Sequence, residues 1–112
     1  MQAEDRIRLQ HMVDAARMAQ RFVAGRTRAD LDADEMLSHA LARALEVVGE
    51  AASRVSPEGR AAVPGVPWSA IVGMRNRIVH AYFDIDLDVI WKTVTDELPA
   101  LIAPLQAALD VG

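Results

Sequence analysis

The sequence predicts an all-α protein, an up-and-down four-helix bundle whose C-terminal helix is kinked or split. Three observations carry this expectation. Apolar residues recur at three- and four-residue steps along the whole chain. Cap-type residues and prolines stand where such stripes begin. The composition is 52% hydrophobic with only two Trp, two Phe and one Tyr, so the core is aliphatic and rich in small inter-helix contacts. The 112 residues fit one domain, 1–112, with no repeat, low-complexity tract or linker.

The first helix is expected from about Asp5 to Ala24, through Ile7, Leu9, Met12, Ala15, Ala16, Ala19, Phe22 and Val23, with Gly25 as its stop. Arg26 to Leu31 reads as a polar loop. Asp32 is then expected to cap a second helix, with Glu35 three residues on as the capping-box partner. Its stripe runs from Met36–Leu37 to Val55, about 20 residues or ~30 Å of helix. Ser56-Pro57-Glu58 is a cap, a proline in the first turn and an acid, which predicts a short helix ending near Ala62. Val63-Pro64-Gly65-Val66-Pro67 is a rigid connection. A third helix is expected from Trp68 to about Ala81, with Tyr82 to Ile85 leaving it. Asp86 caps a fourth, through Leu87, Ile90, Trp91 and Val94. Pro99 should break or kink it, Pro104 marks a second bend, and the remainder reaches about Leu109.

Charge and composition narrow the function. The chain has no cysteine, which excludes a disulfide scaffold, thiolate zinc sites and a cysteine nucleophile. No apolar run reaches the ~18 residues of a membrane span, and the charged N-terminus has no signal-peptide shape. A soluble cytoplasmic protein is expected. The formal net charge of −4 does not suit general duplex binding, so nucleic-acid chemistry requires a local positive site. The glycines never cluster into a phosphate loop, so no nucleotide cofactor is expected and the protein should not bind ATP by itself. Asp84-x-Asp86-x-Asp88 and Asp30-x-Asp32-x-Asp34 lack the glycine and terminal glutamate of a calcium loop and read as helix starts. His11 and His39 have no ligand-spaced partners. Glu46, Glu50 and Arg54 step by four along the second helix. They suit surface pairing, or a reach from Glu50 to an arginine of the third helix.

The candidate site is Arg75-Asn76-Arg77-Ile78-Val79-His80-Ala81-Tyr82. At ~100° per residue, Asn76 and His80 share a face, so the amide can hydrogen-bond the ring and fix its tautomer. Arg75 and Tyr82 share another. Arg75 and His80 lie roughly 140° apart, too far to act on one point from one helix. RNA cleavage without metal needs a base for the ribose 2′-hydroxyl, an acid for the leaving oxygen, and charge on the phosphorane. Histidine supplies the first two and arginine the third. A twofold dimer would bring two histidines and two arginines together.

The stretch Arg43 to Arg54, the segment Pro67 to Asp86, and the run Asp96-Glu97-Leu98-Pro99-Ala100-Leu101 resemble the HepT-like HEPN proteins over most of the chain. The resemblance implies a ribonuclease toxin acting as a homodimer, with Arg75 and His80 catalytic and Asn76 supporting. It also implies an MntA-type minimal nucleotidyltransferase antitoxin as partner. That enzyme would silence the toxin by adenylylating Tyr82, the chain's only tyrosine. The alternative is a non-catalytic HEPN dimer that serves as interaction module and nucleotidyltransferase substrate, which the acidic charge mildly favours.

Overall fold

The computed structural model describes residues 1–78 and 85–111. Helix α1 (Ala3–Val23) lies along α3 (Glu35–Ser53), joined by the short α2 (Arg28–Ala33). Helix α4 (Pro57–Ala62), α5 (Trp68–Val72) and α6 (Met74–Ile78) follow. After the undescribed 79–84 stretch, α7 (Leu87–Lys92) passes through a π-helical turn (Thr93–Glu97) into α8 (Leu98–Asp110), which returns along α1. This is the expected all-α bundle with an irregular C-terminal helix. Its principal extents are 42 × 29 × 18 Å, so the thinnest direction is about two helix diameters.

The pairing of α1 with α3 follows from residue size. Ala15, Ala16 and Ala19 of α1 and Ala44, Gly49, Ala51 and Ala52 of α3 are all buried. Small side chains let the two backbones approach. Leu9, Met12 and Val13 share one core with Leu41, Leu45 and Val48, all fully or almost fully buried. Leu98, Leu101 and Leu105 close the same core from α8. Among the described residues, no helix is long and apolar enough to cross a membrane.

The caps differ in one place from the sequence reading. The expected polar loop before the second long helix contains α2. Its N-terminus is a capping box in which the Thr27 amide donates to the Asp30 carboxylate at 2.7 Å. Asp34 caps α3 in place of Asp32, its carboxylate accepting from the Leu37 amide at 3.0 Å. Asp32 pairs with Arg28 at 3.0 Å within α2. Ser38, buried, donates to the Leu31 carbonyl at 2.6 Å and fixes the corner between α2 and α3.

Pro99 acts as expected, by a particular route. The proline has no amide hydrogen, and its ring crowds the carbonyl four residues back. The chain widens into the π turn just ahead of it, with the Leu98 amide donating to the Thr93 carbonyl. Pro99 then sits in the first turn of α8, and the helix runs on through Pro104.

A buried carboxylate joins the start of the chain to the middle. Asp5 is 4% exposed. It accepts from the Ser56 amide at 2.9 Å and from the Ser56 hydroxyl at 2.5 Å. Ser56 in turn caps α4 by accepting from the Gly59 amide at 3.0 Å. The hydrogen bonds from Ser56 hold the Asp5 carboxyl below its ordinary value of 3.8, against the opposing effect of burial. A lowered folded-state pKa gives stability that is present above the unfolded value and lost as pH falls through the folded one. Asp5→Asn should therefore lower stability by about 2 kcal/mol at neutral pH, and its urea midpoint should fall less than the parent's below pH 4. Gly59 leaves no room for a side chain, because a Cβ would stand 2.6 Å from Asp5 Oδ2 and 2.8 Å from Val55 Cγ1. Gly59→Ala should cost about 1–3 kcal/mol in the same denaturation assay.

Candidate active site

The segment that carries the motif is anchored by its apolar positions. Ile71, Met74 and Ile78 are buried at three- and four-residue spacing and rest against the core on the α3 side. Asn76 and Arg77 are thereby turned outward, and both are exposed. The expected single helix from Trp68 to about Ala81 is interrupted. α5 stops at Gly73, whose amide donates to the Ser69 carbonyl at 3.0 Å, and α6 begins at Met74. Glycine is a poor interior helix residue, and the break falls where the sequence supplies it.

The lead-in to α5 is tied down by Trp68. Its indole nitrogen donates to the carbonyls of Arg60 (3.2 Å) and Val63 (3.1 Å). The Arg60 guanidinium lies 5.9 Å from the centre of the Trp68 ring and donates to the Ala52 carbonyl at 3.3 Å. Thus α4, the proline connection and α5 are fastened to the end of α3.

Of the predicted site residues, the backbone of Arg75 lies in α6 and Asn76 lies beside it on the exposed side. His80 and Tyr82 lie outside the described residues, as does the side chain of Arg75. The flanks of the 79–84 segment are held together. The Asp86 amide donates to the Ile78 carbonyl at 2.6 Å, so the described residues on either side of it meet at one point. Asp86 also caps α7, its carboxylate accepting from the Val89 amide at 3.1 Å, as the sequence indicated.

Next to that point is an open cleft of about 400 Å³ between α6 and the helix formed by α7 and the π turn. Asn76 and Arg77 line one side, and Asp86, Val89, Lys92 and Glu97 the other. Arg77 donates to the Ala70 carbonyl at 3.2 Å and stands 4.0 Å from the Glu97 carboxylate. Sequence reading left Arg77, Lys92 and Glu97 without a role. Arg77 lies inside the motif, but nothing in its spacing points to a glutamate twenty residues on.

The remaining candidates sit apart from this cleft. Glu50 pairs with Arg54 at 3.1 Å, as the four-residue step suggests, and Arg43 approaches Glu46 at 3.6 Å. His11 is exposed on α1, beside a smaller depression that it lines with Arg8, Arg43 and Glu50. His39 is exposed, 3.7 Å from Glu35. Among the described residues no group of three or more His, Asp or Glu could hold a metal ion.

The fold is an α-helical bundle with a polar cleft that Asn76 lines from the motif segment. The comparisons assign the family. The chain belongs to the ribonuclease HepT-like family, whose model matches residues 12–108. It is 32% identical over 93 residues to "Probable ribonuclease HepT" of Thermococcus cleftensis, covering 83% of this chain and 84% of that one. It is 34% identical over 93 residues to "Putative RNase TTE0752" of Caldanaerobacter subterraneus, covering 83% of each. No solved structure matches the chain.

The Trp68 tether yields a direct test of how the motif helices are held. Trp68→Phe keeps a ring under Arg60 but removes the donor to the Arg60 and Val63 carbonyls. It should lower stability by about 1 kcal/mol, read as a shift in the denaturation midpoint without change in slope.

Proposed function

We propose that this HepT-like protein is a metal-independent endoribonuclease toxin, with Arg75 and His80 catalytic and Asn76 supporting His80. The observation that carries the reading is the Arg75-Asn76-x3-His80-x-Tyr82 pattern. It starts on a core-anchored helix whose polar side opens on a cleft, in a chain of a ribonuclease family. The reaction is a transesterification. The ribose 2′-oxygen attacks the adjacent phosphorus and its proton passes to a His80 imidazole. The bond to the 5′-oxygen breaks as that oxygen takes a proton from a second, protonated His80. The products are a 2′,3′-cyclic phosphate and a free 5′-hydroxyl. Arg75 balances the charge that builds on the phosphorane oxygens. One chain has one such histidine, so the two proton transfers call for a homodimer that joins two motifs.

The same reading gives the protein an off-switch. Tyr82 is the acceptor for AMP transferred from ATP by a minimal nucleotidyltransferase antitoxin of the MntA type. The tyrosine oxygen bonds to the α-phosphorus, pyrophosphate leaves, and the phenolic proton is released. The added phosphodiester would compete with RNA phosphate for Arg75.

Arg75→Ala and His80→Ala should each lower cleavage of single-stranded RNA at least about 100-fold, in excess chelator as well as without it. Growth arrest on expression should disappear with activity. Co-expression with a cognate MntA-type nucleotidyltransferase should add one AMP mass at Tyr82. Unchanged arrest in both variants would favour the non-catalytic interaction module, and an adduct elsewhere would remove Tyr82 from the switch.

A further inference from the structure

The α6–α7 cleft contains more chemistry than cleavage of a phosphodiester requires. Its described side chains include two cations, Arg77 and Lys92, and two carboxylates, Asp86 and Glu97. A pocket for phosphate alone would not place two acids beside it, because like charge repels the ligand. Balanced donors and acceptors instead suit a neutral group read along one edge. Single-stranded RNA offers such a group in each unstacked base.

Arg77 and Glu97 are arranged for this. The Arg77 guanidinium is oriented from behind by its bond to the Ala70 carbonyl. Its pairing with Glu97 is loose, 4.0 Å with both side chains 43% exposed. Neither group is consumed by the other, and both line an open volume of about 400 Å³, ample for one purine. Glu97 owes its position to the π turn that precedes Pro99. Val89 supplies an apolar wall. Lys92, exposed on the same cleft, has no ion-pair partner among the described residues.

We propose that this cleft is a nucleobase subsite, selective for guanine, next to the cleavage motif. The proposal rests on the ribonuclease reading above. Guanine presents two parallel donors, N1–H and N2–H, which fit the two oxygens of the Glu97 carboxylate. Its O6 lies alongside, where Arg77 donates. Adenine, cytosine and uracil each lack that pair of adjacent donors. Lys92 then meets the neighbouring backbone phosphate as a point charge and carries no base information.

The test uses short single-stranded RNAs that differ at one position flanking the cleaved bond, with A, C, G, U or inosine there. The parent protein should favour guanine by about tenfold in kcat/KM at one flanking position, with inosine intermediate because it lacks the N2 amine. Glu97→Ala and Arg77→Ala should flatten that preference to within about twofold while cleavage persists. Lys92→Ala should lower kcat/KM evenly across the set and make it less sensitive to salt. Glu97→Gln, which keeps one acceptor oxygen, should retain part of the preference and guards against a folding defect. No base preference in the parent, preference for a base other than guanine, or a guanine preference untouched by Glu97→Ala would overturn the subsite. Failure of the ribonuclease reading is separate, and would appear as no cleavage of any RNA by the parent, whereas the subsite is judged on a parent that cleaves.

Discussion

The structure depends on the close pairing of α1 with α3. Two long helices meet through alanines and one glycine, and that contact makes α3 a platform. α2, α5, α6 and α7 all pack on it, while α8 packs on α1. A larger residue at Ala16 or Ala52 would separate the pair and move everything that rests on it. The described stretch of the motif helix α6, Met74–Ile78, is held by packing more than by its own hydrogen bonds. Its orientation comes from Met74 and Ile78 being buried.

Several polar contacts then fix connections that the core cannot. Asp5 and Ser56 join the first turn of α1 to the corner between α3 and α4. Trp68 and Arg60 fasten the proline connection. Arg28 reaches Asp88 at 2.8 Å and links α2 to α7. The last is a solvent-exposed pair that adds little stability, whereas Asp5 is enclosed and its loss would leave the Ser56 amide without that acceptor. The most consequential polar contacts thus lie at the corners of the bundle, away from the cleft. There Arg77 and Glu97 remain loosely paired and open to a ligand.

Much of the fold was legible because local signals agreed with the tertiary outcome. Ser56-Pro57 and Asp86 cap the helices they were expected to cap, and most of the apolar stripes became the core, with Ile7 (51%) and Met36 (84%) left exposed at helix starts. The misplaced cap shows where such reading stops. Asp30, Asp32 and Asp34 are identical in type and alternate along the chain, and each could start a helix. Packing of Leu31 and Ser38 into the corner selects Asp30 and Asp34 for capping and leaves Asp32 to Arg28. The break at Gly73 is similar. A glycine weakens a helix without breaking it, and here the interruption appears where α5 and α6 both lie against α3.

Sequence alone determined the helical class, the core-facing positions and the Arg75-Asn76-x3-His80-x-Tyr82 motif, because each is written in local spacing or residue type. Tertiary structure decided what stands opposite that motif. Arg77 and Glu97 are twenty residues apart, and they meet because the π turn before Pro99 and the anchoring of α6 bring two separate helices to one cleft. No periodicity within either helix contains that distance. It depends on how both pack, one beside the other, at the end of the bundle.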